Sequence, residues 1–163
     1  MTGSETPTPN RTRYVSGLAA VLTCCAVGAV APAAHAAIGT PTAFVVDTQF
    51  LDGPSAIVSA TGPLSSCTSV VTRDQVATPV GPTTVMFSGE KVLACGADEV
   101  VVHFDSTVNA KAGRKSFGDW YVVSSTLAGV AGGSGTVKGD SKSCTPVAGS
   151  FGCILDTFTG SVF

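Results

Sequence analysis

Beyond residue 37 the chain alternates apolar and polar residues with a period of two, the pattern of strands that bury one face. Over 42–50, Phe44, Val46 and Phe50 share one face, while Asp47 and Gln49 fall on the other. Over 99–108, the apolar set Val100, Val102, Phe104 and Val108 opposes Val101, His103, Asp105 and Thr107. Segment 119–127 is rich in aromatic and β-branched residues (Trp120, Tyr121, Val122, Val123, Thr126), which favour strands. Further strands are predicted over 55–60, 67–73, 83–87, 90–95, 135–138 and 155–163. Turn chemistry separates them at Asp52-Gly53-Pro54, Thr61-Gly62-Pro63, Pro79-Val80-Gly81-Pro82, Ser88-Gly89 and Gly139-Asp140. No stretch here keeps a 3.6-residue period over a dozen positions.

Short strands at this spacing predict an all-β domain, either a closed antiparallel barrel of about eight strands or a β-sandwich. Few charges lie within the strands to blunt sheet edges, which favours closure. Trp120 follows Cys95 by 25 residues, too far for the strand-C tryptophan of a bridged immunoglobulin-type sandwich.

The chain's beginning is of a different kind. Arg11 and Arg13 precede an apolar run over 15–30, and Ala34-His35-Ala36 forms a small-x-small cleavage pattern. Residues 1–36 therefore read as a secretory signal peptide, and 37–163 as a single domain that is secreted to the extracellular space. An uncleaved anchor fits poorly, because the run falls short of the roughly 20 residues a spanning helix needs. Thr23 before Cys24-Cys25 argues against lipidation, and the separated arginines argue against twin-arginine export.

Removing this segment leaves four of the six cysteines, an even number in an exported chain. Two disulfides are predicted, paired sequentially among three possible connectivities: Cys67 with Cys95, and Cys144 with Cys153. No pair has C-x₂-C spacing and one histidine remains, which argues against a zinc site. The whole chain carries 9 Lys+Arg against 11 Asp+Glu, so it lacks the clustered positive charge that nucleic acid requires. With a single apolar run of near-spanning length, it is no polytopic membrane protein, and no membrane partner is expected after cleavage.

From Trp120 to Val137 a strand runs into the Gly-rich turn Ala128-Gly129-Val130-Ala131-Gly132-Gly133, and Ser134-Gly135-Thr136-Val137 begins the next strand. The chain closes with Leu155-Asp156-Thr157-Phe158-Thr159-Gly160-Ser161-Val162. Over residues 99–163 this resembles the β-barrel family of allene oxide cyclases and dirigent proteins, and more closely its small secreted bacterial relatives. The resemblance implies an eight-stranded antiparallel barrel with an apolar cavity, often a homo-oligomer. It also implies a small hydrophobic ligand that is cyclised or coupled there. No family site residue maps onto this chain one by one.

Candidate chemistry is sparse. His103 and Asp105 point to one face of a strand and would serve as a base with its orienting carboxylate, or as two metal ligands. Alternation assigns them equally to a solvated outer face. Asp47 interrupts an apolar strand; buried, it would act as an acid, and outward-facing it is ordinary. Tyr121 and Arg73 would offer a phenol and a cation to a cavity, or simply pack and pair at the surface. Lys111-Ala112-Gly113-Arg114-Lys115 reads as a solvated loop. No Gly-x-Ser-x-Gly elbow is present, and Gly133-Ser134-Gly135 lacks the Lys-Ser/Thr of a phosphate loop. No cofactor or metal is expected. Two functions follow as expectations: a barrel holding a small apolar ligand, with cyclase or isomerase activity, or a non-catalytic secreted module that binds a protein or glycan through its surface. A hydrolase ranks last.

Overall fold

The computed structural model describes residues 39–50, 53–109, 115–150 and 152–163. The leader over 1–36 and the basic loop at Lys111–Arg114 lie outside the described residues.

Eight strands follow one another: β1 Thr40–Gln49, β2 Gly53–Ala60, β3 Ser69–Gly81, β4 Thr84–Cys95, β5 Asp98–Asn109, β6 Lys115–Ser125, β7 Gly133–Asp140 and β8 Cys153–Val162. Each pairs antiparallel with the next, and β8 returns to β1 over its full length, from Thr40↔Val162 to Gln49↔Cys153. The sheet is thus a closed antiparallel barrel. The loosest seam is β2–β3, which pairs only over 53–55 against 70–72.

Two of the predicted strands merge. Ser88-Gly89, expected to turn, lies inside the continuous strand β4. Opposite it, β3 carries the extra residues Asp74 and Gln75 in a bulge, with Asp74 in the left-handed region at φ 54°. A Cβ at Gly89 would stand 3.1 Å from the Gln75 Cα, so the glycine admits the bulge rather than ending the strand. Gly139-Asp140 likewise continues β7 instead of forming a turn.

The alternation holds around the ring. Phe44, Val46, Leu93, Val100, Val102, Phe104, Trp120, Val137 and Phe158 fill the lumen. Phe44 stacks on Phe158 (centroids 4.4 Å apart), and Trp120 meets Phe44 edge-on at 5.7 Å. A Cβ at Gly135 would strike Trp120 Nε1 at 2.7 Å, so the glycine leaves room for the indole. Trp120 Nε1 then donates to the Thr159 carbonyl at 3.2 Å. One end of the barrel is sealed. A 3₁₀ turn, Gly62–Ser66, carries fully buried Leu64 into it, and Val130 and Leu127 close the other side. The Cys67–Cys95 disulfide ties that plug to the end of β4, and Cys144–Cys153 bridges a loop at the opposite end. Among the described residues, no helix is long and apolar enough to cross a membrane.

Candidate functional site

Toward the opposite end, the lumen changes character. The inward positions there are Thr48 on β1, Thr72 on β3, Lys91 on β4, Ser106 on β5, Ser116 on β6 and Asp156 on β8, all buried. Lys91 is 0% exposed and Asp156 3%. Their parity is that of the core: Lys91 alternates with Leu93 and Cys95, and Asp156 with Ile154 and Phe158.

Lys91, Thr48, Thr72, Ser116 and Asp156 form one hydrogen-bonded belt. Lys91 Nζ donates to Thr72 Oγ1 (2.7 Å) and to Thr48 Oγ1 (3.0 Å), and it lies 5.0 Å from the centroid of the Phe104 ring. The Thr48 hydroxyl bonds in turn to Asp156, whose Oδ1 also accepts from Ser116 Oγ at 3.0 Å. Ser55 and Thr72 share a hydroxyl pair at 3.3 Å on the far side. Among the described residues, no buried side-chain nitrogen or oxygen lacks a partner.

Gly139, across from Asp156, makes this possible. A Cβ there would collide with both Asp156 Oδ1 and Ser116 Oγ. Burial pushes the Asp156 carboxyl above its ordinary range, opposed by the positive charge of Lys91 and by the two hydroxyls.

Asp156 forms the floor of a narrow pocket with Thr48 and Ser106. Its walls are Phe50, Phe87, Phe104, Val108, Ile154 and Gln75. Phe50 and Phe87 stack with centroids 4.9 Å apart. The free space inside the pocket is about 10 Å³, on the order of one water molecule.

The residues singled out in the sequence lie elsewhere. Cross-strand register lines up Arg73, Glu90, His103 and Tyr121 on the outer face of β3 to β6. Arg73 Nε donates to Glu90 Oε2 at 2.7 Å, which holds the guanidinium in its charged form. His103 Nε2 lies 3.5 Å from Asp105 Oδ2 and 3.3 Å from Ser88 Oγ, with its ring 5.1 Å from that of Tyr121. Asp105 and Tyr121 are about half exposed. The structure therefore brings His103, Asp105 and Tyr121 together, but outside the barrel. Asp47 stands apart on β1, pointing outward and accepting from Gln49 Nε2 at 3.0 Å. Asp47 also approaches Cys144 and Cys153, whose sulfurs are bonded to each other and so are not thiolate ligands.

Lys91 and Asp156 are not among the candidates raised from the sequence; the signal that marks them there is a charged residue at the core parity of an alternating strand. Comparison with family models, with curated proteins and with solved structures returned no match.

Proposed function

We propose that this is an exported barrel that takes up a small, largely apolar molecule at the polar end of its lumen, and that Asp156 and Lys91 act on it as an acid–base pair. The observation that carries this reading is the burial of Asp156 on the floor of an aromatic-walled pocket, joined through Thr48 to the buried Lys91 behind it. Burying an ion costs several kcal/mol even after relaxation, and a pair of apolar residues would fill the same volume more cheaply. Perturbed, cleft-facing titratable groups concentrate where chemistry occurs.

The belt has a direction that suits proton exchange. Lys91 donates to Thr48, and Thr48 donates to Asp156, so one hydroxyl joins the ammonium to the carboxylate. As a carboxylate, Asp156 accepts a proton from the ligand; as the acid, it returns that proton to another ligand atom. The sum is an isomerisation or cyclisation without net consumption of protons. The resemblance to cyclase and dirigent barrels points the same way. The leader pattern and two disulfides support export.

Native mass spectrometry of the exported protein tests this reading. A chain starting at Ala37, four hydrogens light, with a small adduct that is released on denaturation and absent from Asp156→Asn, is the expected result. An adduct-free protein whose lumen methyl signals respond to no small apolar compound would overturn it.

A second reading, a non-catalytic module binding a protein or glycan, draws on one observation. Phe117, Tyr121 and Val123 lie exposed on the outer face of β6, with Asp119 between Phe117 and Tyr121. Loss of surface binding in Phe117→Ala/Tyr121→Ala, with the lumen untouched, would favour it.

A further inference from the structure

The pocket is closed by Phe50, and the contacts that place Phe50 come from a loop on the outside of the barrel. Cys144 and Cys153 are nine positions apart in sequence, and the disulfide between them closes a loop that ends on the first residue of β8. The loop folds back along the end of β1. Val147 N donates to Gln49 Oε1 at 3.0 Å, and Phe50 N donates to the Gly152 carbonyl at 2.9 Å and to Ser150 Oγ at 3.1 Å. Gln49 belongs to the outward parity yet is only 4% exposed, in contrast to its expected placement on a polar outer face. The Phe50 ring rests on the backbone of Gly152, where a Cβ would stand 2.9 Å from Cδ2. On its other side the ring stacks on Phe87 over the pocket.

We infer that the loop closed by Cys144–Cys153 is a strap that holds Phe50 across the mouth of the lumen, so that opening this disulfide admits a ligand to the Asp156 pocket. The inference deepens the proposed function and rests on its reading of the pocket. The space behind Phe50 accepts about one water molecule, so a larger guest enters only when the ring swings away. Val147 on Gln49 and the Ser150 hydroxyl on the Phe50 amide are the points where the strap grips, and both contacts go when the loop is released, whereas the Phe50 N–Gly152 O bond continues the β1–β8 register. A dithiol would supply the chemistry. Its thiolate attacks one strap sulfur, the second dithiol sulfur resolves the mixed disulfide, and the dithiol leaves as a cyclic disulfide. Two electrons and two protons pass to Cys144 and Cys153, which end as thiols. The Cys67–Cys95 bridge lies in the sealed end and takes no part in this motion.

The test is benzene binding, followed through the methyl signals of Val108, Ile154 and Val46 in the mature protein. Phe50→Ala, with both disulfides intact, vacates the volume of a phenyl ring and marks the open mouth. The double variant Cys144→Ser/Cys153→Ser is expected to show saturable shifts at least about tenfold tighter than the parent, at concentrations where the parent shows none. Gln49→Ala keeps the bridge but removes the grip on Val147, and is expected to speed benzene entry severalfold, which covers the case in which the double variant fails to fold. Binding by Phe50→Ala together with parent-like behaviour of the folded double variant, or of Gln49→Ala, would overturn the strap. Failure of Phe50→Ala itself to bind benzene would instead overturn the pocket.

Discussion

The two halves of the lumen are built from the same strands yet solve opposite problems. Around Phe44, Trp120 and Phe158 the inward side chains are apolar apart from Thr42, whose hydroxyl donates to the Thr61 carbonyl; glycines make room for rings, and Leu64 plugs the end. Toward Phe50 the same strands turn inward a lysine, an aspartate and four hydroxyls. The first half supplies the hydrophobic drive that a domain of this size needs. The second half spends part of that drive on desolvated charge. A barrel needs only the first arrangement to be stable, so the second marks where function is to be sought.

The largest effects are expected where either half is broken unilaterally. Trp120→Ala in the sealed half removes a buried indole and should cost about 3–5 kcal/mol in urea unfolding. Lys91→Met alone leaves Asp156 buried without its counter-charge and should cost a similar amount, about 3–5 kcal/mol. The comparison is sharpened by replacing both charges at once. Lys91→Met/Asp156→Leu should be neutral or stabilising, by up to about 4 kcal/mol, while abolishing ligand uptake. A double variant as unstable as the single one would show that the belt is structural, and the contrast between the halves would collapse.

A smaller effect follows from pH. Burial raises the Asp156 carboxyl, so in the window between the ordinary carboxylate range and its raised value the folded protein holds a proton that the unfolded chain has released. Stability should therefore fall as pH rises through that window, and Asp156→Asn should lack this component of the profile. Thermal unfolding of the two proteins across about pH 3–8 measures it. The smallest effect is expected outside the barrel. His103→Ala should change stability by no more than about 0.5 kcal/mol, because its ring is partly solvated and its partners keep other contacts.

How much of this was legible in the sequence depends on which face a residue occupies. Period-two alternation revealed the strands and their inward sets, because burial of one face leaves a direct imprint on residue type. The same alternation placed His103, Asp105 and Asp47 outside, which is where they are. Their chemistry drew attention because they are polar residues in the expected places. Lys91 and Asp156 are polar residues in the wrong places, and that violation was the stronger signal. Ser88-Gly89 misled for a different reason: a glycine that admits a bulge on the neighbouring strand has the same local sequence as one that turns the chain. The burial of Gln49 could not be read at all, since it depends on a loop about 100 residues away folding back over β1.

The seam between β1 and β8 carries a consequence for how the molecule assembles. Seven of the eight pairings join neighbours in sequence and close over short loops, at small entropic cost. The eighth joins Thr40 to Val162 across nearly the whole domain. It rewards the chain only after the other strands are in place, so it should govern the folding rate. A chain that folds amino end first holds β1 as an open edge until β8 arrives. For that interval the barrel is a curved sheet with two unpaired borders, and partners that bind strand edges, other copies included, compete with its own last strand.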